Sequence, residues 1–367
     1  MRTANPPRTG LLLSVAILLI VACEKQNAPA TTQPATNQKT TAGFGVQPPP
    51  VFVVWIRRDN IPSALSNFKG RFGGWSFVIG GKGYIGGGTA VTTNNDQSVG
   101  RNVFAYDTTT QSWSQQATPP SEATGNEGAF AIGANGYIVS GSGSNTQNNY
   151  QYNSLANTWT LRAPLPGAAR QYSFGVATAG KGYIGGGANK PGLGLNIKDW
   201  MQYDPPTDHW TAMAQFPGEP TYGAAAFASS PDAGGKAYFC GGYDNEGRLR
   251  TDLWQYDPAT NQWTQKTSLP GAARAYAVGM NTTTAGFIST GWSNAGTLAD
   301  VWQYNFSTDT WGTEPNIPYY APIIGLNGAR LAGFGFGIGN TIYIGGGLSD
   351  NSIPDARADL WSLAIPN

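Results

Sequence analysis

A tyrosine, a tryptophan seven residues later and a proline seven after that recur along this chain. The sets are Tyr106–Trp113–Pro120, Tyr152–Trp159–Pro166, Tyr203–Trp210–Pro217, Tyr256–Trp263–Pro270 and Tyr304–Trp311–Pro318. Units of about 50 residues that share one signature predict an array of one architecture, against the two or three domains that length alone suggests. A sixth pair, Trp55–Pro62, has no tyrosine before it. The run Asp359-Leu360-Trp361-Ser362-Leu363 near the other end matches the segment that precedes each turn elsewhere. The last unit therefore lacks its final strand, and the segment around Trp55 is that strand. A ring closed by its own ends is expected.

Composition says how each unit is built. Glycine makes up 50 of 367 residues, about twice its usual share. Charged residues are only 12%, and no segment keeps a helical period. Each unit reads as four antiparallel strands, a to d. Strand a is small and apolar, as in Gln171–Val176; strand b is short and ends in glycines, as at Gly86-Gly87-Gly88, Gly185-Gly186-Gly187, Gly241-Gly242 and Gly345-Gly346-Gly347. Strand c carries Asp-Leu-Trp-Gln-Tyr at 252–256 and close variants at 199–203 and 300–304. A turn such as Asp257–Gln262 then leads to strand d and its tryptophan.

The glycine doublet followed by a tyrosine and a tryptophan with six residues between them resembles the kelch repeat, over residues 52–365. The resemblance implies an all-β fold, a β-propeller of four-stranded blades around a central channel. Six tryptophans occupy the strand-d position: Trp55, Trp113, Trp159, Trp210, Trp263 and Trp311. A six-bladed kelch propeller follows, its closing blade completed by an N-terminal strand within Phe52–Arg58. The repeated tyrosines and tryptophans are expected to fill the space between blades, not to form a sugar-stacking platform.

The chain begins differently. Arg2 and Arg8 precede a twelve-residue apolar run, Leu11–Ala22, too short to span a bilayer of roughly 30 Å as a helix. The run ends Ile20-Val21-Ala22-Cys23, which resembles a bacterial lipoprotein signal, in which the cysteine is lipidated. Residues 1–22 are read as that signal, 23–50 as a flexible Ala/Thr/Gln/Pro tether and 51–367 as the propeller. A coil of residues 24–50 would reach roughly 30 Å. The expected location is the cell envelope, lipid-anchored to a bacterial membrane, the outer membrane or cell surface over the inner one. With Cys23 acylated, Cys240 has no partner for a disulfide and reads as a small buried hydrophobe. Loss of Arg2 and Arg8 with the signal moves the formal charge from +1 to −1, which excludes the basic footprint of a nucleic-acid binder.

In a four-stranded meander the d–a and b–c connections emerge on the same face. Counting thirteen residues back from the strand-b aromatic aligns the starts of strand a at Arg71, Thr124, Arg170, Arg274 and Arg330. Thr221 fits in the fourth unit, which carries an insertion around Ser229–Ala233. Guanidiniums ringing a channel mouth suit a carboxylate or phosphate ligand. They equally suit loop acids such as Asp96, Asp244 or Asp355. Three residues further on the units read Gly74, Glu127, Ser173, Ala224, Ala277 and Gly333, so Glu127 is the one large and charged group there. It is a candidate counter-ion to the arginines or a candidate general base. The single histidine, His209, has no companion ligand nearby, so neither a metal nor another cofactor is expected.

Two functions are carried forward. One is a lipid-tethered module that binds a protein or an anionic glycan on the d–a/b–c face. The other is an enzyme similar to N-acetylneuraminate epimerase, interconverting anomers of a sugar acid with Glu127 as base.

Overall fold

A computed structural model of the chain describes residues 53–366, apart from 64, 66, 121–124, 126, 142–146, 190–191, 194, 231–233, 319–327 and 351–355. The expected signal, tether and Cys23 lie outside the described residues, as does Thr124. Residues 51–367 form one compact unit.

The described residues are β-strands and turns. Strand β1 (Trp55–Arg58) comes first, then a short ribbon strand β2 (Phe68–Phe72). Blade 1 is β3 (Trp75–Ile79), β4 (Lys82–Gly86), β7 (Val103–Asp107) and β8 (Ser112–Gln116). Between its middle strands lie β5 (Thr89–Thr92) and β6 (Gln97–Val99), which join β2 in a small sheet of their own. Blade 2 is β9 (Gly128–Ile132), β10 (Asn135–Val139), β11 (Asn149–Asn153) and β12 (Thr158–Arg162). Blade 3 is β13 (Phe174–Thr178), β14 (Lys181–Gly185), β15 (Trp200–Asp204) and β16 (His209–Ala212). Blade 4 is β17 (Ala225–Ala228), β18 (Ala237–Cys240), β19 (Leu253–Asp257) and β20 (Gln262–Lys266). Blade 5 is β21 (Val278–Asn281), β22 (Ala285–Ser289), β25 (Val301–Asn305) and β26 (Thr310–Glu314), with the two-residue strands β23 (Trp292–Ser293) and β24 (Gly296–Thr297) in its b–c loop. Blade 6 is β27 (Phe334–Ile338), β28 (Thr341–Gly345) and β29 (Leu360–Ala364), completed by β1. The innermost strands neighbour one another in a closed cycle, β3, β9, β13, β17, β21, β27 and back to β3. Among the described residues this is an all-β propeller of six four-stranded sheets.

The repeat explains the packing atom by atom. The tyrosine ends strand c with its ring fully buried, as at Tyr152, Tyr203, Tyr256 and Tyr304. Its hydroxyl donates to the residue five further on: Asn157, Asp208, Asn261 and Asp309, at 2.6 to 2.9 Å. Those four residues have φ between 51° and 55°, a turn conformation that Asn and Asp tolerate better than other side chains. The same side-chain oxygen accepts the N–H of a residue leaving the previous blade: Ala117, Ala163, Ala214 and Thr267. The tryptophan two positions on donates its indole N–H to that residue's carbonyl. One Tyr–Asx–Trp group thus holds both backbone groups of the neighbouring blade's exit. The expectation that these aromatics are interblade core matches this arrangement. Blade 1 departs from it: Gln111 replaces the Asx, and the buried Tyr106 hydroxyl has no partner among the described residues.

The glycine doublet has a matching role. The N–H of Gly141, Gly187, Gly242, Gly291 and Gly347 donates to the carbonyl of the residue four before strand a in the next blade. Each of these five glycines has a positive φ, which turns its N–H outward at little cost. The b–c and d–a connections therefore lie on one face, as the meander requires.

Candidate functional site

Arg71, Arg170, Arg274 and Arg330 lie four residues before strand a of blades 1, 3, 5 and 6, Arg71 within β2, and all are at most 1% exposed. Three have an aspartate directly before strand c of their own blade. Arg170 meets both carboxylate oxygens of Asp199, Arg274 those of Asp300 at 2.6 and 2.7 Å, and Arg330 those of Asp359 at 2.8 and 3.0 Å. Each Nε also donates to a carbonyl two residues back, and each Nη1 to the carbonyl at the end of strand b. The sequence leaves two roles open to these groups, a ring for an anionic ligand or pairing with acids; three are clamped by an acid partner inside their own blade. The loop acids named from the sequence do not serve them: Asp96 meets Thr92, Asp244 meets Arg248 and Arg250, and Asp355 is outside the described residues. Asp300 and Asp359 also accept an indole N–H from Trp302 and Trp361, an Asp-x-Trp spacing that Asp199 lacks and that Asp252 shares without a clamp. Burial pushes the Asp359 carboxyl up, but Arg330 more than offsets this and holds it below the usual carboxylate range.

Three blades break the pattern; blade 2 has Thr124 and Asn148 at the two positions in sequence. In blade 4 the arginine is the buried Thr221, and Asp252 turns to Arg250 and the Trp254 indole. In blade 1 the arginine is present, but Asn102 stands where the aspartate would be. Arg71 gives Nη1 to the carbonyl of Asn102 at 2.8 Å, while its Nε and Nη2 have no partner among the described residues. Its guanidinium lies 5.8 Å from the centre of the Phe104 ring. Burial pushes its pKa down to about 10.

Two residues beyond these positions, backbone hydrogen bonds join five of the six blades in a partial collar. Gly73 donates to Ala332, Ala332 to Tyr276, Tyr276 to Gly223 and Gly223 to Tyr172, at 2.8 to 3.0 Å. This collar narrows the channel at the d–a/b–c face. Beneath it lies a cavity of about 160 Å³ whose lining includes Glu127, Ala224, Ala277 and Gly333. It is followed by a second of about 380 Å³ lined by the middle residues of all six strands a. Among the described residues Glu127 is the sole ionisable side chain lining either cavity. It is 7% exposed, and its Oε1 accepts the Gly125 N–H at 2.7 Å. Asp199, Asp300 and Asp359, not Glu127, are the counter-ions of three arginines.

A feature that the repeat does not mark lies on this collar. Tyr172, Tyr222, Tyr243 and Tyr276 gather over blades 3 to 5, with ring centres 5.3 to 6.3 Å apart in five pairings. All four are half-buried. Tyr172 and Tyr276 have φ of 54° and 55°, where blades 1 and 4 have Gly73 and Gly223. Holding a non-glycine residue there costs roughly 1–2 kcal/mol. Burial first, then the neighbouring Tyr222 and Tyr172, raises the Tyr276 hydroxyl well above its ordinary value, so it stays neutral. The signal was available: aligning the arginines puts a tyrosine two places on in two units that elsewhere carry glycine or alanine.

Cys240 is buried, its thiol pushed up to about 12, largely by that burial. His209 is exposed at the start of β16. Among the described residues no group of three His, Cys, Asp or Glu is placed to hold a metal.

Comparison with known proteins agrees with this architecture. The kelch motif model matches residues 233–270. A stretch of 80 residues, 20% of the chain, is 38% identical to the N-acetylneuraminate epimerase of Yersinia enterocolitica serotype O:8 / biotype 1B (strain NCTC 13174 / 8081). That match takes in 19% of the length of that enzyme. Among solved structures, "Structure of YjhT" superposes with a TM-score of 0.50 and 22% identity, over 60% of this chain and 71% of that one. The likeness is one of fold.

Proposed function

We propose that the chain is a lipid-anchored recognition module of the cell envelope that binds a glycan on its d–a/b–c face. The observation that carries this is the withdrawal of charge from the channel mouth. The four arginines are buried, three of them spent on their own aspartates, and among the described residues Glu127 alone lines the cavities as an ionisable group. The arginines therefore no longer favour an anionic ligand there. Acid–base chemistry on a sugar ring takes a proton from the anomeric hydroxyl and gives one to the ring oxygen. One carboxylate covers one of those transfers. A binding face needs neither.

A second reading, interconversion of sugar-acid anomers, is favoured by the 80-residue match to the Yersinia enzyme together with Glu127 beneath the collar. NMR of N-acetylneuraminate anomers with wild type and Glu127→Gln separates the two. The binding module leaves the uncatalysed rate unchanged in both. An enzyme accelerates it, and Glu127→Gln then lowers turnover about 10²–10⁴-fold with affinity nearly unchanged. Catalysed anomerisation by the wild type would overturn the binding-only reading. A glycan array with the wild type tests binding directly, and an array without a hit removes the glycan.

A further inference from the structure

We propose that Tyr172, Tyr222, Tyr243 and Tyr276 form a stacking subsite for a neutral pyranose ring at the channel mouth. The proposal rests on the glycan reading above and names the sugar class that this face takes. The repeated tyrosines are fully buried and bond across blades, whereas these four lie half-buried outside the repeat. Tyr222 and Tyr243 face each other in an antiparallel bridge, with rings stacked at 5.5 Å and 25°. Tyr276 stands edge-on to Tyr172 and Tyr222 and is tilted against Tyr243, which joins the set into one patch. A pyranose offers C–H faces to aromatic rings and hydroxyls to phenol oxygens, which both donate and accept.

The backbone argues that the rings are there for more than filling. Glycine adopts the conformation of Tyr172 and Tyr276 without strain, and blades 1 and 4 use it at that place in the same collar, while blade 6 holds the small Ala332 there at φ 52°. Strain held against an available relaxed residue points to a role for the side chain. The charges beside the patch are paired, three acids with two arginines, which leaves one net negative charge. Asp244 and Glu246 pair with Arg248, and Asp252 pairs with Arg250. Nothing in that arrangement favours a carboxylate-bearing sugar over a neutral one.

The test uses the full chain and variants Tyr172→Gly and Tyr276→Gly. Glycine fits the local backbone, so folding survives the loss of the ring. Neutral hexasaccharides of glucose, mannose and N-acetylglucosamine, and free N-acetylneuraminate, serve as probes in calorimetric titrations. One neutral oligosaccharide is expected to bind the wild type, and each glycine variant to weaken it by about tenfold or more. Melting temperature should be equal or higher, and Tyr276→Phe should keep most of the affinity. Variants that bind a neutral sugar as the wild type does would overturn the subsite and leave the glycan reading standing. So would a drop of several degrees in melting temperature with affinity unchanged, which marks a structural plug. Binding of N-acetylneuraminate alone would overturn the choice of a neutral ring. A wild type that binds no sugar removes both readings.

Discussion

At the scale of single residues, the informative position is Asn102. Its counterparts Asp199, Asp300 and Asp359 each neutralise a buried arginine, and among the described residues Arg71 alone of the four lacks that partner. A buried cation without a counter-charge is costly, and its depressed pKa is the same fact expressed as proton affinity. Asn102→Asp is expected to restore the clamp and raise stability by about 1.5–3 kcal/mol, seen as a higher melting temperature. An unchanged or lower value would mean that Arg71 is compensated in another way. The arginines themselves were legible by register, but their acid partners were not. Each aspartate lies 26 or 29 residues away in sequence, and only folding of strands b and c brings it back. The Asp-x-Trp spacing was on view in strand c without its partner being apparent. Glu127 was legible as an exception among small residues. Of the tyrosine patch only the register of Tyr172 and Tyr276, two places past an arginine, was legible, because nothing in a linear reading says that this place has a positive φ.

At the scale of elements, the closing blade carries the clearest consequence. Strand β1 pairs with β29 in register from Trp55↔Leu363 to Arg58↔Leu360. The Trp55 indole reaches the Pro315 carbonyl at 2.8 Å, and Ile61, 1% exposed, donates its N–H to Ala358 at 2.6 Å. Removing residues 51–62 strips the strand and a buried isoleucine from blade 6. A loss of at least 2–5 kcal/mol is expected, or a melting temperature lower by roughly 5 °C or more. An equally stable truncation would show that β1 is an accessory. Six blade strands d were legible because each announces itself by tryptophan. The ribbon of β2, β5 and β6 was not, since β6 is exposed throughout and none of its strands carries the repeat's aromatic pair.

For the whole molecule, acid is the natural stress. Asp208, Asp244, Asp309 and Asp359 are all held below their ordinary value near 3.8, where hydrogen bonds and nearby arginines or lysine outweigh burial. A depressed carboxylate stabilises the fold fully above its unfolded value, and that contribution disappears as pH falls through the folded one. Denaturant midpoints should therefore be flat with respect to these groups from neutral pH down to about pH 5, and fall below about pH 4. Asp359→Asn should lower the neutral plateau and flatten part of the acid limb. A limb of unchanged steepness would show that Asp359 does not contribute to it.

The pairing of β1 with β29 also sets an order of events. Synthesis delivers Trp55–Arg58 almost at the outset of the propeller and Leu360–Ala364 at its very end. The earliest strand thus stays without its neighbour until the latest one emerges. A chain released early keeps two bare sheet edges, the feature that invites aggregation or quality control. Arrival of β29 and closure of the ring are, for this fold, the same step.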